Sequence, residues 1–136
     1  MSKVAVVYWS GTGNTESMAN ILADALKSKG AEVALLTTAE FTPDQVESYT
    51  AFAFGCPSMG AEVLEEGEFQ PMWDDVKDSM SGKTVALFGS YGWGDGEWMR
   101  NWEDEIPTGV VGTCICCGEP DDEATQTLTE IAAKLV

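Results

Sequence analysis

The 136-residue chain has no histidine and only seven lysines and arginines. Without histidine there is no Ser-His-Asp or Cys-His nucleophile and no imidazole-ligated metal. Seven basic residues against 23 acidic ones leave a formal charge of −16, which repels nucleic acid and anionic membrane surfaces. Long apolar runs are missing too. The longest, Val4–Trp9, is far too short to cross a bilayer, and it leads into Ser10–Thr15 without the small-residue cleavage site of a signal peptide. Four cysteines, Cys56, Cys114, Cys116 and Cys117, do not make the spaced framework of a secreted disulfide protein. A cytoplasmic chain is expected, folded as one domain over residues 1–136, long enough to form a core without metal or disulfide.

What is present is an alternation of β-like and α-like segments with no internal repeat or linker. Lys3–Tyr8, Glu32–Thr37, Ala51–Gly55, Thr84–Gly89 and Val110–Cys117 read as strands, most of them apolar throughout, as strands covered on both faces are. Between them, Met18, Ile21, Leu22, Ala25 and Leu26 recur at helical spacing up to a stop at Gly30. Thr42-Pro43-Asp44-Gln45 has a capping-box pattern that starts a short helix. Phe69, Met72, Trp73, Val76 and Met80 mark another helix, Glu97–Glu105 a fourth up to Pro107, and Leu128, Ile131, Ala132 and Leu135 the last. Trp9 and Trp73 read as packing residues, and Trp98 and Trp102 as a buried helix face. Five strands alternating with five helices imply a parallel α/β sheet with helices on both faces. Ligands then bind beyond the carboxyl ends of the strands.

Three loops lie at that edge. After the first strand, Ser10-Gly11-Thr12-Gly13-Asn14-Thr15 opens a helix with hydroxyl donors, close-approach glycines and unsatisfied first-turn amides, the makings of an anion site. It is no Walker loop, since no Gly-Lys-Ser/Thr follows, and Glu16 stands at the third-glycine position of the dinucleotide fingerprint. Neutral donors suit a terminal phosphomonoester better than a transferring phosphoryl group, which needs a cation. After the third strand comes Cys56-Pro57-Ser58-Met59-Gly60-Ala61-Glu62, where Gly60 allows two peptide orientations. After the fourth comes Ser90-Tyr91-Gly92-Trp93-Gly94-Asp95-Gly96, whose two large aromatics suit a flat ligand. Taken singly, each loop also fits a plain turn or a packed lid.

Together the strings VYWSGTGNT (Val7–Thr15), GCPSMGAEVLEE (Gly55–Glu66) and ALFGSYGWGDGEWMR (Ala86–Arg100) closely resemble the short-chain flavodoxins of anaerobic bacteria. The resemblance is close from about Val4 to Trp102 and looser beyond. It implies a flavodoxin-like three-layer αβα sandwich with a five-stranded parallel sheet in the order 2-1-3-4-5, the order for which this fold is a standing example, and FMN at the switch point. It also implies that Ser10, Gly11, Thr12, Gly13, Asn14 and Thr15 hold the FMN phosphate with help from Ser90. Five or more donors, each contributing roughly 1.5–3 kcal/mol to a charged acceptor, suffice for nanomolar binding, about 12 kcal/mol. By the same resemblance, Met59 meets the inner flavin face within Pro57, Ser58, Met59, Gly60, Ala61 and Glu62. Trp93 meets the outer face within Tyr91, Gly92, Trp93 and Gly94, Gly92 and Trp93 offer backbone amides, and Glu62 accepts from the flavin N3–H.

The resemblance further implies a one-electron carrier working through a neutral semiquinone, steadied when the Met59–Gly60 carbonyl turns toward flavin N5, and an anionic hydroquinone. Ala61 departs from the polar residue that relatives often carry after the hinge glycine. Of the 23 acids, 16 fall in Glu62–Asp78, Asp95–Glu105 and Glu119–Glu123. At about 10 Å one such charge costs an added anion roughly 1.7 kcal/mol at ε ≈ 20 before screening. Several therefore lower the second potential by on the order of 100 mV. Redox partners with basic docking patches follow from the acidic rim, and a monomer from the dense like charge. The alternatives are an FMN-dependent NAD(P)H oxidoreductase of the same fold, for which the chain offers no nicotinamide pocket, and a binding module that lost the flavin. Cys114-Ile115-Cys116-Cys117 is formally a C-x-x-C, but thiols in an apolar strand are more often inert core.

Overall fold

The computed structural model describes every residue except 1, 12, 60–62, 93, 95 and 107. The apolar runs become five parallel strands, β1 (Lys3–Tyr8), β2 (Glu32–Thr37), β3 (Ala51–Gly55), β4 (Thr84–Tyr91) and β5 (Gly112–Cys117), in the order β2-β1-β3-β4-β5. Helices α1 (Asn14–Ser28), α2 (Phe69–Val76), α3 (Glu97–Asp104) and α4 (Asp122–Leu135) cover the two faces. The period of two along each strand decides which residue meets which layer. Val4, Val6, Ala51, Ala53, Ala86 and Phe88 pack with Met18, Leu22 and Leu26 of α1 and Leu128 and Ile131 of α4. Ala5, Val7, Phe52, Phe54, Val85 and Leu87 pack with α2 and α3.

The two layers differ in bulk. On the α1/α4 side β3 presents only Ala51 and Ala53. On the other side Phe54 meets Trp73 edge-on at 5.1 Å between ring centroids, and Trp73 meets Trp102 at 5.8 Å. Trp73, Trp98 and Trp102 are buried there, as their helical spacing predicts.

Four elements differ from expectation. The fourth strand runs two residues further than Gly89, to Tyr91, so Ser90 and Tyr91 stand in β4 and not in the loop after it. The segment begun by Thr42 has its capping box, but the turn it caps is a 3-10 turn over Pro43–Ser48, not an α-helix. The helix expected through Met80 tightens after Val76 into a 3-10 turn, Lys77–Met80, which keeps Met80 buried. The fifth strand begins at Gly112 rather than Val110, because the Val111 amide reaches back to the Val85 carbonyl (2.8 Å) before regular pairing starts. Among the described residues no helix is long and apolar enough to cross a membrane.

Candidate functional site

The chain leaves β1, β3, β4 and β5 at one edge of the sheet, and their loops enclose a cavity of about 240 Å³. Its walls are Gly11 from the first loop and Asn14 at the start of α1, Pro57, Ser58 and Met59 from the second loop, and Ser90 and Tyr91 at the end of β4 with Gly92 just beyond it, together with Trp9 and Gly118. Ser10, Gly13 and Thr15 belong to the same first loop but are not on the cavity wall, and Gly94 is exposed away from it. The expectations placed on Thr12, Gly60, Ala61, Glu62 and Trp93 lie outside the described residues.

The first loop is shaped to receive an anion. Gly13, the residue before α1, sits in the left-handed region at φ 95°, where a side chain is strained, and it has no side chain with which to cap the helix. Its amide is held instead by Ser10 Oγ at 3.0 Å. At α4, by contrast, the Asp121 carboxylate accepts from the Ala124 amide at 2.8 Å and repels any anion from that helix start. The uncapped α1 keeps its first amides and the positive end of its dipole for a ligand. Glu16 is its one first-turn acid, and the Tyr8 hydroxyl donates to that carboxylate at 3.1 Å. Burial and then this bond raise the Tyr8 pKa above its ordinary value.

The loops are cross-tied. Thr15, 1% exposed, accepts through Oγ1 from the Ser90 amide at 3.4 Å. The Ser58 amide donates to the Ser90 carbonyl at 3.0 Å. The Ser90 hydroxyl gives its single proton to the Gly118 carbonyl at 2.6 Å, so while that bond holds Ser90 has no donor for a phosphate. Met59 and Val63 exchange two backbone hydrogen bonds, 2.9 and 3.3 Å, which fasten the base of the second loop.

Two wall residues were not assigned to the site from sequence. Trp9 packs on the core as expected, yet it also forms one side of the cavity. Gly118 lies just beyond β5, and inspecting the residues after the fifth strand as after the others would have found it. The cysteines are all unpaired. Cys114 and Cys116 face the α1/α4 core while Cys117 is exposed, so the C-x-x-C does not converge. Burial pushes the Cys56 and Cys114 thiols up to about 12. Among the described residues no group of three or more acids and thiols is placed to hold a metal.

Behind the second loop, Glu65 accepts from the amides of Gly67, Glu68 and Phe69 at 2.7, 2.7 and 2.8 Å and so anchors the start of α2. Burial alone would raise this carboxyl, but the three amides together hold it below the usual range. A depressed folded pKa adds stability above the ordinary glutamate value, about 4.3, and that stability is lost as pH falls through the folded value. Glu65→Gln is therefore expected to lower stability at pH 7 by about 1 kcal/mol, as removal of a helix cap does. Urea unfolding should show the gap from the parent narrowing as pH falls below the ordinary glutamate value and closing once the folded carboxylate is protonated. A constant gap across that range would mean the carboxylate charge is irrelevant.

The geometry fits FMN in three respects: an uncapped helix start whose loop carries no lysine or arginine, a narrow and largely apolar cavity, and four loops meeting at the sheet edge. A doubly wound α/β sheet with this arrangement defines a class, proteins that seat a phosphate-bearing aromatic cofactor through loop backbone. Comparison with known proteins gives the family. The flavodoxin family model matches residues 6–134. The chain is 44% identical over 135 residues to the flavodoxin of Megasphaera elsdenii (96% of this chain, 98% of that one). It is 42% identical over 133 residues to that of Clostridium beijerinckii (96% of each). The solved structure of the two-electron reduced Megasphaera elsdenii flavodoxin matches with a TM-score of 0.88 at 45% identity, covering 96% of this chain and 98% of that one. The chain belongs to the flavodoxin family, whose members are FMN-binding electron carriers and not enzymes.

Proposed function

We propose that residues 1–136 form one FMN-binding domain that carries single electrons at low potential between redox proteins in the cytoplasm, as a monomer. The observation that carries this reading is the uncapped start of α1 beside the cavity. Bound FMN supplies a flavin that takes up and returns electrons one at a time. The protein supplies the rest. The Ser10–Thr15 loop binds the phosphate with neutral donors. Pro57, Ser58 and Met59 cover one side of the ring system, Tyr91 and Gly92 with Trp93 the other, and Ser90 braces the phosphate loop through Thr15. Gly60, Ala61 and Glu62 serve the same ring system in this reading, Glu62 as acceptor for the flavin N3–H, and the Met59–Val63 pair fastens the base of that loop.

Charge is polarised along the molecule, which supports docking on basic partners. Lys3 and Lys83 begin or precede strands, and Lys27, Lys29, Lys77 and Lys134 lie at helix ends, so six of the seven cations lie at the end of the sheet away from the cavity. A field of this shape turns the cavity end toward a cationic partner and raises the association rate more than the affinity.

The test is a potentiometric titration of the FMN-reconstituted protein, with electron transfer to a cationic haem protein followed by stopped flow. Two separate one-electron steps are expected, the second well below free flavin. The bimolecular rate should fall at least about tenfold as salt rises from 10 mM to 0.2 M. A single two-electron step would remove the one-electron reading, and a salt-independent rate the docking reading.

A further inference from the structure

The sheet has two edges. β2 carries Glu32 within it, a charge of the kind that keeps an edge from pairing. β5, with the sequence GTCICC, carries no charge, proline or lysine. Its pairing with β4 shows which of its backbone groups are spare. The carbonyls of Phe88 and Ser90 accept from Cys56 and Ser58 on the β3 side, so the alternate carbonyls of β4 face β5. Tyr91 stands opposite Cys117, and its carbonyl accepts from the Gly118 amide at 3.0 Å. Alternation then turns the even-numbered amides of β5 toward β4 and those of Thr113, Ile115 and Cys117 outward. Among the described residues these three have no hydrogen-bond partner on the outer side.

Beside this edge, under the start of α4, runs a groove of about 440 Å³ bounded by Thr113, Ile115, Cys117, Asp121 and Glu123. Tyr91 lines both this groove and the cofactor cavity, so the two adjoin across that residue. One flank is acidic, with Asp121 and Glu123 and the exposed Glu119 and Asp122 beside them. The opposite flank presents Ile115, 38% exposed. These acids oppose pairing with a second copy, which would bring the same charges and another −16.

We infer that the free edge of β5 receives an extended segment of a redox partner as a sixth strand, with alternate residues basic toward Asp121 and Glu123 and apolar toward Ile115. Main-chain hydrogen bonds to Thr113, Ile115 and Cys117 hold the segment, and the two flanks select its side chains. Its end then lies beside Tyr91 at the mouth of the cofactor site. This deepens the docking reading above and rests on it.

The probe is a blocked Val-Lys-Val-Lys-Val-Lys peptide added to the FMN-loaded protein, followed by NMR. Amide exchange at Thr113, Ile115 and Cys117 should slow at least tenfold at saturation. Asp121→Asn with Glu123→Gln, which leaves an acceptor for the Ala124 amide, should weaken binding at least fivefold. The same peptide N-methylated at alternate residues keeps its charge and should bind at least tenfold more weakly. Unchanged exchange with peptide bound, or equal binding of the N-methylated form, overturns strand pairing. A salt-dependent rate to the haem protein that survives such a failure confines the loss to this proposal. Loss of both removes the docking reading as well.

Discussion

Riboflavin, which is FMN without its phosphate, will bind this protein at least a thousandfold more weakly than FMN at pH 7, as read from quenching of flavin fluorescence. The expectation rests on the first loop. Gly13 leaves the α1 amides uncapped, Ser10 holds the Gly13 amide at 3.0 Å, and Thr15 is tied to the third loop through the Ser90 amide. Each hydrogen bond to a charged group contributes about 1.5–3 kcal/mol, so three or more outweigh the cost of drying the phosphate by about 4 kcal/mol, a factor of roughly a thousand. The direction of the salt effect is a second readout. With no lysine or arginine in this loop and −16 on the chain, the phosphate approaches against the overall field. Screening should therefore strengthen FMN binding as salt rises, the opposite of a site built on lysine. Affinities for riboflavin and FMN within tenfold of each other would mean that the loop does not hold the phosphate.

Much of this arrangement was legible from residue pattern alone, for reasons that also explain the misses. The inner strands were clear because burial on both faces makes them apolar throughout, as in Val4–Val7 and Ala51–Gly55. β5 sits at an edge and is half exposed, so apolarity does not mark where it begins, and Val110 and Val111 were absorbed into it. Helical spacing found Met80 because a 3-10 turn still points it inward, yet the same spacing cannot tell that turn from the α-helix before it. In the site, glycine-rich loops announced themselves after β1, β3 and β4. Trp9 did not, since a tryptophan ending a buried strand fits core and cavity wall equally, and here it serves as both. The partner of Ser90 was invisible for a different cause. A hydroxyl beside a phosphate loop suggests a ligand contact, and only the three-dimensional path after β5 places the Gly118 carbonyl 2.6 Å away.

Gly89→Ala should be the most damaging single-methyl change in the sheet. Gly89 lies in β4 beside the end of β3, and a Cβ there would overlap the Cys56 carbonyl oxygen, with Trp98 Cζ2 at 3.2 Å. The obstacle is backbone, so it cannot turn aside as a side-chain tip would. The same carbonyl accepts from Trp98 Nε1 at 3.3 Å, and the neighbouring Cys56 amide donates to the Phe88 carbonyl at 3.1 Å. Making room for the methyl therefore strains the link between β3 and β4 and the seat of α3 together. Overpacking with loss of a buried hydrogen bond costs about 2–3 kcal/mol. At the usual unfolding entropy for this length, the thermal midpoint falls by roughly 7–10 °C. Gly92→Ala is the control: nothing lies within 4 Å of its Cβ, and stability should change by less than about 0.5 kcal/mol. Because the second and third loops leave the sheet immediately after Gly55 and Tyr91, the Gly89 variant should also lose FMN affinity, at least about tenfold. That follows from the separation of Pro57 and Ser58 from Ser90 and Tyr91 across the cavity. A destabilised Gly89→Ala protein that binds FMN as tightly as the parent would show that the loops keep their spacing without the strand contact beneath them.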